Sequence, residues 1–121
     1  MIKLTFALTR RPDLTREAFQ AYWFDQHAPL VASVKEVLRI RRYVQLHSLS
    51  LEASESVRAS RGAPEGYDGV AQLWWDSLDD MAATADDPKA AEAGRRLLED
   101  EKKFIDLARS PLWWGEERVV F

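Results

Sequence analysis

Hydrophobic spacing changes register along this chain in an order that few folds accommodate. Residues 2–9 alternate, with Ile2, Leu4, Phe6 and Leu8 on one side and Lys3, Thr5, Ala7 and Thr9 on the other, which predicts a half-buried strand. From Phe19 the apolar residues recur at steps of three and four through Tyr22, Trp23, Leu30, Val34 and Val37, the stripe of an amphipathic helix. Period two returns over 39–49, where Ile40, Val44 and Leu46 oppose Arg41, Tyr43, Gln45 and His47, and again over 68–75. A helical pattern follows through Leu97, Leu98 and Ile105, and residues 112–121 supply a last strand. The resulting order is β-α-β-β-α-β. It predicts an α+β, ferredoxin-like antiparallel sheet of four strands with helices on one face, in a single domain over residues 1–121. The bare face needs a cover, and a second copy of the chain is the simplest one, so a homodimer is expected.

Local signals mark the boundaries. Thr15 is placed to cap the first helix, with Glu17 in its first turn. Ser77 and Asp80 form a capping-box-like pair, and Asp87-Pro88 starts a further helix with proline at its first position. Pro29 cannot donate to the carbonyl of Asp25, which predicts a break or kink near His27 and a shorter helical piece through Val34 to Glu36. Residues 50–66, rich in Ser, Ala, Glu and Arg and ending in Gly-Ala-Pro-Glu-Gly, read as a long mobile loop that covers a site or a partner surface.

Composition narrows the function. A net charge of −3 offers no basic field for nucleic acid or an anionic membrane. The absence of cysteine excludes thiol chemistry and disulfides and fits the cytoplasm. No apolar run approaches the roughly 20 residues of a bilayer span. The two histidines lack metal-ligand spacing, and the glycines at 62, 66 and 69 do not form a phosphate cradle. Neither a metal nor a cofactor is expected.

His27 lies four residues after Trp23 and three before Leu30, on the aromatic side of its helix. A histidine there either satisfies a broken helix end or acts as a general acid/base. Asp25 does not share its face, so an orienting carboxylate must come from elsewhere in the fold. His47 belongs to a Tyr43-Gln45-His47 row that lines either a polar pocket or a subunit interface. The pairs Trp74-Trp75 and Trp113-Trp114 place one indole of each pair on either side of a strand.

Several stretches are similar to one family. They are Leu14-Thr15-Arg16-Glu17-Ala18-Phe19, Tyr22-Trp23, His27-Ala28-Pro29-Leu30, Arg42-Tyr43-Val44-Gln45-Leu46-His47, Tyr67-Asp68-Gly69-Val70-Ala71-Gln72-Leu73-Trp74, Phe104-Ile105-Asp106 and Glu116-Glu117-Arg118. In these the chain resembles the EthD family of the dimeric α/β-barrel superfamily. The resemblance implies a homodimer whose two sheets close into a barrel, with small apolar or aromatic compounds bound between each sheet and its helices. It implies that the helix histidine of the family is His27 and its strand histidine His47. It offers three functions: a cofactor-independent lyase or cyclase, as in fungal relatives resembling dehydratases; an auxiliary binding protein serving a partner oxygenase; and a haem-degrading monooxygenase. In the first, His27 is the acid/base and Tyr22 donates to a developing enolate oxygen. Phe6, Leu8, Val44 and Leu46 would form the floor of the cavity and Tyr22 and Trp23 its helix-side roof, with Leu30 and Trp74 as further binding residues.

Overall fold

The computed structural model describes residues 1–121. Strand β1 (Ile2–Leu8) leads into α1 (Arg16–Tyr22), a π-helical turn (Trp23–His27) and α2 (Ala28–Leu38). Strand β2 (Arg42–His47), α3 (Leu51–Ala59), β3 (Gly69–Trp75), α4 (Leu78–Ala82), α5 (Pro88–Glu101) and β4 (Leu112–Glu116) follow. The strands form one four-stranded antiparallel sheet in the order β2-β3-β1-β4. The two crossovers of a ferredoxin-like fold produce this order, and their helices pack on one face of the sheet.

The caps sit where the side chains demand them. Thr15 Oγ1 accepts from the Ala18 amide at 3.1 Å, Ser77 Oγ from Asp80 at 3.0 Å and Asp87 Oδ1 from Lys89 at 2.9 Å. Phe19, Trp23, Phe6, Leu8, Ala71, Phe104 and Ile105 make up the main core, between α1, the π turn and the sheet. Gly69 is what lets Trp23 lie flat on β3: a Cβ there would fall 2.5 Å from the indole and 2.9 Å from the Leu46 carbonyl.

Four expectations are corrected or refined. The helix is distorted near His27 as expected, but it does not break at Pro29. It widens instead by one residue, with the Ala28 amide bonded to the Trp23 carbonyl five residues back, and α2 then runs on to Leu38. The wider turn relieves the clash of the proline ring with the preceding turn, where an α-helix would have broken. Residues 50–66 are not a plain loop: Ser50 caps α3, whose residues are exposed apart from the half-buried Arg58. That helix is held by its cap and by the Glu55–Arg58 ion pair at 2.9 Å, without an apolar stripe to announce it. The last strand stops at Glu116 and does not reach Phe121.

The faces of β2 are the reverse of those expected. Tyr43, Gln45 and His47 turn toward the helices, while Val44 and Leu46 turn toward the bare face with Gln72, Trp74 and Trp113. Alternation is lost between Ile40 and Tyr43, which are three residues apart and both line the helix side. The left-handed Arg39 (φ 59°) ends α2 just before them, so the strand phase begins anew at Arg42. A second reason is chemical: Gln45 Nε2 donates to the Trp23 carbonyl at 3.0 Å, and the His47 ring stacks on the Trp23 indole at 4.6 Å. Polar side chains are thus required on this face to satisfy and seat the π turn.

Candidate active site

A cavity of about 150 Å³ lies between the sheet and the helices. Phe6 and Leu8 of β1, Ala71, Leu73 and Trp75 of β3, Trp23 and His27 of the π turn, and Val31 of α2 line it. Tyr43, and Leu97 and Glu101 from α5, face it as well. Leu112, about half exposed, stands at its rim beside β4.

The extra residue of the π turn rotates everything after it, so Val31 and not Leu30 faces the cavity. Val44, Leu46 and Trp74 do not line it either. Trp74 packs on the bare face beneath Lys3 and Arg42, each within 5.2 Å of its indole, and its Nε1 donates to Glu117. Trp75, its neighbour, takes the cavity side. His47 meets neither the cavity nor the bare face. It lies over Trp23 with Nε2 2.7 Å from Gln45 Oε1, and burial lowers its pKa.

His27 is 5% exposed, and its Nδ1 lies 2.7 Å from Asp100 Oδ2. The carboxylate therefore does come from elsewhere, from the last turn of α5. Burial works to raise the Asp100 pKa, but hydrogen bonds from Tyr22 and His27 outweigh it and hold the group below the usual carboxylate range. Burial lowers the pKa of His27 against the opposing pull of Asp100. At neutral pH the pair is then a neutral imidazole beside an ionised carboxylate. Nδ1 carries the proton and donates it to Asp100, and Nε2 keeps its lone pair. Nε2 has no partner within the chain, and the ring borders the cavity.

Tyr22 is placed differently from the expectation. Its hydroxyl donates to Asp100 Oδ1 at 2.6 Å, behind the imidazole and away from the cavity. Burial and the neighbouring carboxylate push its pKa up to about 12, so it stays a donor to Asp100 and orients the dyad. Phe104 packs against the rings of His27 and Tyr22, both with centroids at 5.1 Å, and fixes them from below.

Two acidic residues of this site, Asp100 and Glu101, were not singled out from the sequence. Helical spacing held a signal for Glu101, which lies four residues after Leu97 on the inner stripe of α5. For Asp100 the chain gave none, because its partners are 73 and 78 residues away. No three histidine or carboxylate side chains meet in a metal-holding arrangement.

Residues 11–108 match the model of the EthD domain. The conidial pigment biosynthesis dehydratase EthD of Metarhizium robertsii is 28% identical over 120 residues, which span 95% of this chain and 81% of that protein. An EthD family protein of Bacillus halodurans superposes with a TM-score of 0.62 at 19% identity, covering 98% of this chain and all of the other. SnoaB, a cofactor-independent oxygenase from Streptomyces nogalater, superposes with a TM-score of 0.54 at 13% identity over 98% of this chain and 94% of its own. These two structures share the fold.

Proposed function

The chain belongs to the EthD domain family, and on that premise we propose that it is a lyase of the dehydratase or cyclase kind that binds a ring compound between sheet and helices and moves a proton with His27. The observation that carries this reading is the His27–Asp100 pair, whose free Nε2 adjoins a cavity lined mainly by apolar side chains. A base held in one tautomer by a buried carboxylate, and shielded from water by aromatic walls, is suited to taking a proton from carbon. The dehydratase name of the fungal relative points to the same chemistry. An apolar cavity of about 150 Å³ accepts a benzene ring, so the compound is of single-ring size at its buried end. A cavity of this volume favours a single ring over a porphyrin.

Trp23 and Trp75 line the cavity and report its filling. Single-ring hydroxylated ketones should quench their fluorescence and lose water on incubation. His27→Gln should bind them with little change and turn them over about 10²–10⁴-fold more slowly. Binding without conversion, with the His27 variant changed in affinity alone, would instead make this an auxiliary binding protein for a partner oxygenase.

The assembly proposed is a homodimer. The bare face presents Val44, Leu46 and Trp113 beside Trp74, and Leu46 and Trp113 are 57% and 52% exposed. An apolar face of this kind on a four-stranded sheet is expected to pair with its own copy. Sedimentation at micromolar concentration should give twice the chain mass of 13.9 kDa, and Leu46→Lys with Trp113→Lys should give the monomer.

A further inference from the structure

Asp100 and Glu101 are neighbours on α5, but a helix turns about 100° per residue and sends their side chains in different directions. Asp100 goes to His27 and Tyr22, behind the imidazole. Glu101 follows Leu97 on the inner stripe and borders the cavity itself. Apart from His27 and the phenol of Tyr43, every other side chain on that wall is apolar. A leucine at 101 would continue the stripe at no electrostatic cost. The carboxyl found there takes part in no hydrogen bond and no ion pair within the chain, and its surroundings act on it through burial and the Asp100 charge alone. The groups around it are His27 from the π turn, Tyr43 from β2 and Asp100 on its own helix. None of these is a cation at neutral pH that could stabilise a carboxylate.

We propose that Glu101 acts in the cavity as a carboxylic acid, donating a hydrogen bond to a hydroxyl or carbonyl oxygen of the bound compound and, in turnover, protonating the oxygen that leaves. This rests on the preceding reading of the cavity as the site of a His27-dependent lyase. It adds a second group that touches substrate and a substrate class: ring compounds with a hydroxyl on the carbon adjacent to the one that loses its proton. The step balances. Nε2 of His27 takes the proton from carbon, the electron pair of that C–H bond becomes the new C=C bond, and the C–O bond breaks. The departing hydroxyl takes the proton of Glu101 and leaves as water. The imidazolium and carboxylate left behind return to their starting forms when a proton passes from Nε2 to Glu101 through that water. Burial with no cationic partner, beside Asp100, pushes the Glu101 pKa up to about 7, so the acid form is available below neutrality.

The test compares two probes of one shape, cyclohexanone and methylenecyclohexane, by tryptophan fluorescence at pH 5.5 in wild type, Glu101→Gln and Glu101→Leu. The ratio of ketone to hydrocarbon affinity should fall about tenfold in Glu101→Leu and remain near wild type in Glu101→Gln, whose amide can still donate. The infrared spectrum of wild type should show a protonated-carboxyl band that cyclohexanone shifts and Glu101→Gln removes, which covers the case of a poorly folded leucine variant. An unchanged ratio in Glu101→Leu, or a band that the ketone leaves in place, overturns the role of Glu101 while His27-dependent dehydration can still stand. Failure of wild type to bind either probe overturns both readings.

Discussion

Replacing Asp100 by leucine is expected to slow turnover by about 10²–10⁴-fold and to weaken the fold by roughly 3 kcal/mol. Two donors lose their acceptor at once, the Nδ1–H of His27 and the hydroxyl of Tyr22, at 2.7 and 2.6 Å. Each is packed against Phe104, which is fully buried and can offer neither a replacement. The imidazole then loses both its tautomer and the charge that would stabilise its protonated form during proton transfer. Asp100→Asn separates the two contributions. The amide oxygen can still accept from one donor, so urea unfolding should show a loss of only about 1 kcal/mol, while turnover should fall nearly as far as in the leucine variant. Tyr22→Phe removes one hydrogen bond and leaves Nδ1 held, so its effect on turnover should be the smallest of the three. Full turnover in Asp100→Asn would reduce the carboxylate to a strut. The depressed pKa of Asp100 also fixes a sign: its contribution to stability is present throughout the range above the ordinary carboxylate value and is lost as pH falls through its lower folded value.

The sheet and the helix starts were legible because each rests on one local rule. Alternation over 2–8 and 69–75 and the side chains of Thr15, Ser77 and Asp87 determine their structure almost alone. The lining of the candidate site was legible where it depends on the same rules: Phe6, Leu8, Trp23 and His27 border the cavity. It was not legible where a residue answers to a distant partner. Pro29 has two remedies for its missing amide, a break or a widened turn, and Gln45, 22 residues beyond Trp23, secures the second by bonding to the Trp23 carbonyl. That choice moves Val31 into the place that straight helical spacing gives to Leu30. Apolarity likewise misplaced β2, because both faces of this sheet carry apolar demand. Val44 and Leu46 serve the bare face, and the helix face takes Gln45 and His47 for hydrogen bonding and stacking. In α3 the pattern failed for the opposite reason, since a helix with almost no buried side chain leaves no stripe to read.

Between pH 4.5 and 7 the fold should lose on the order of 3 kcal/mol through Glu101 alone. Its pKa rises from an ordinary 4.5 to about 7 on folding, so in this window the native chain holds a proton that the unfolded chain has already released. The contribution is complete below pH 4.5 and disappears as the pH passes about 7, where the native carboxyl must ionise against an apolar wall and the Asp100 charge. His27 and His47 work in the other direction. Their folded pKa values are lowered, so below the ordinary imidazole value of 6.5 the unfolded chain binds the extra protons, and raising the pH toward 6.5 stabilises the fold through them. The observable is therefore the difference between wild type and Glu101→Gln, in which the histidines cancel. Urea unfolding of both at pH 5, 6, 7 and 8 should show the glutamine variant gaining on wild type at each step. Parallel curves would mean that the carboxyl reaches water in the native state. Saturating cyclohexanone adds a further constraint, because a ligand that accepts the Glu101 proton binds the acid form more tightly than the carboxylate. It should move the wild-type loss to higher pH and leave the glutamine variant without a shift.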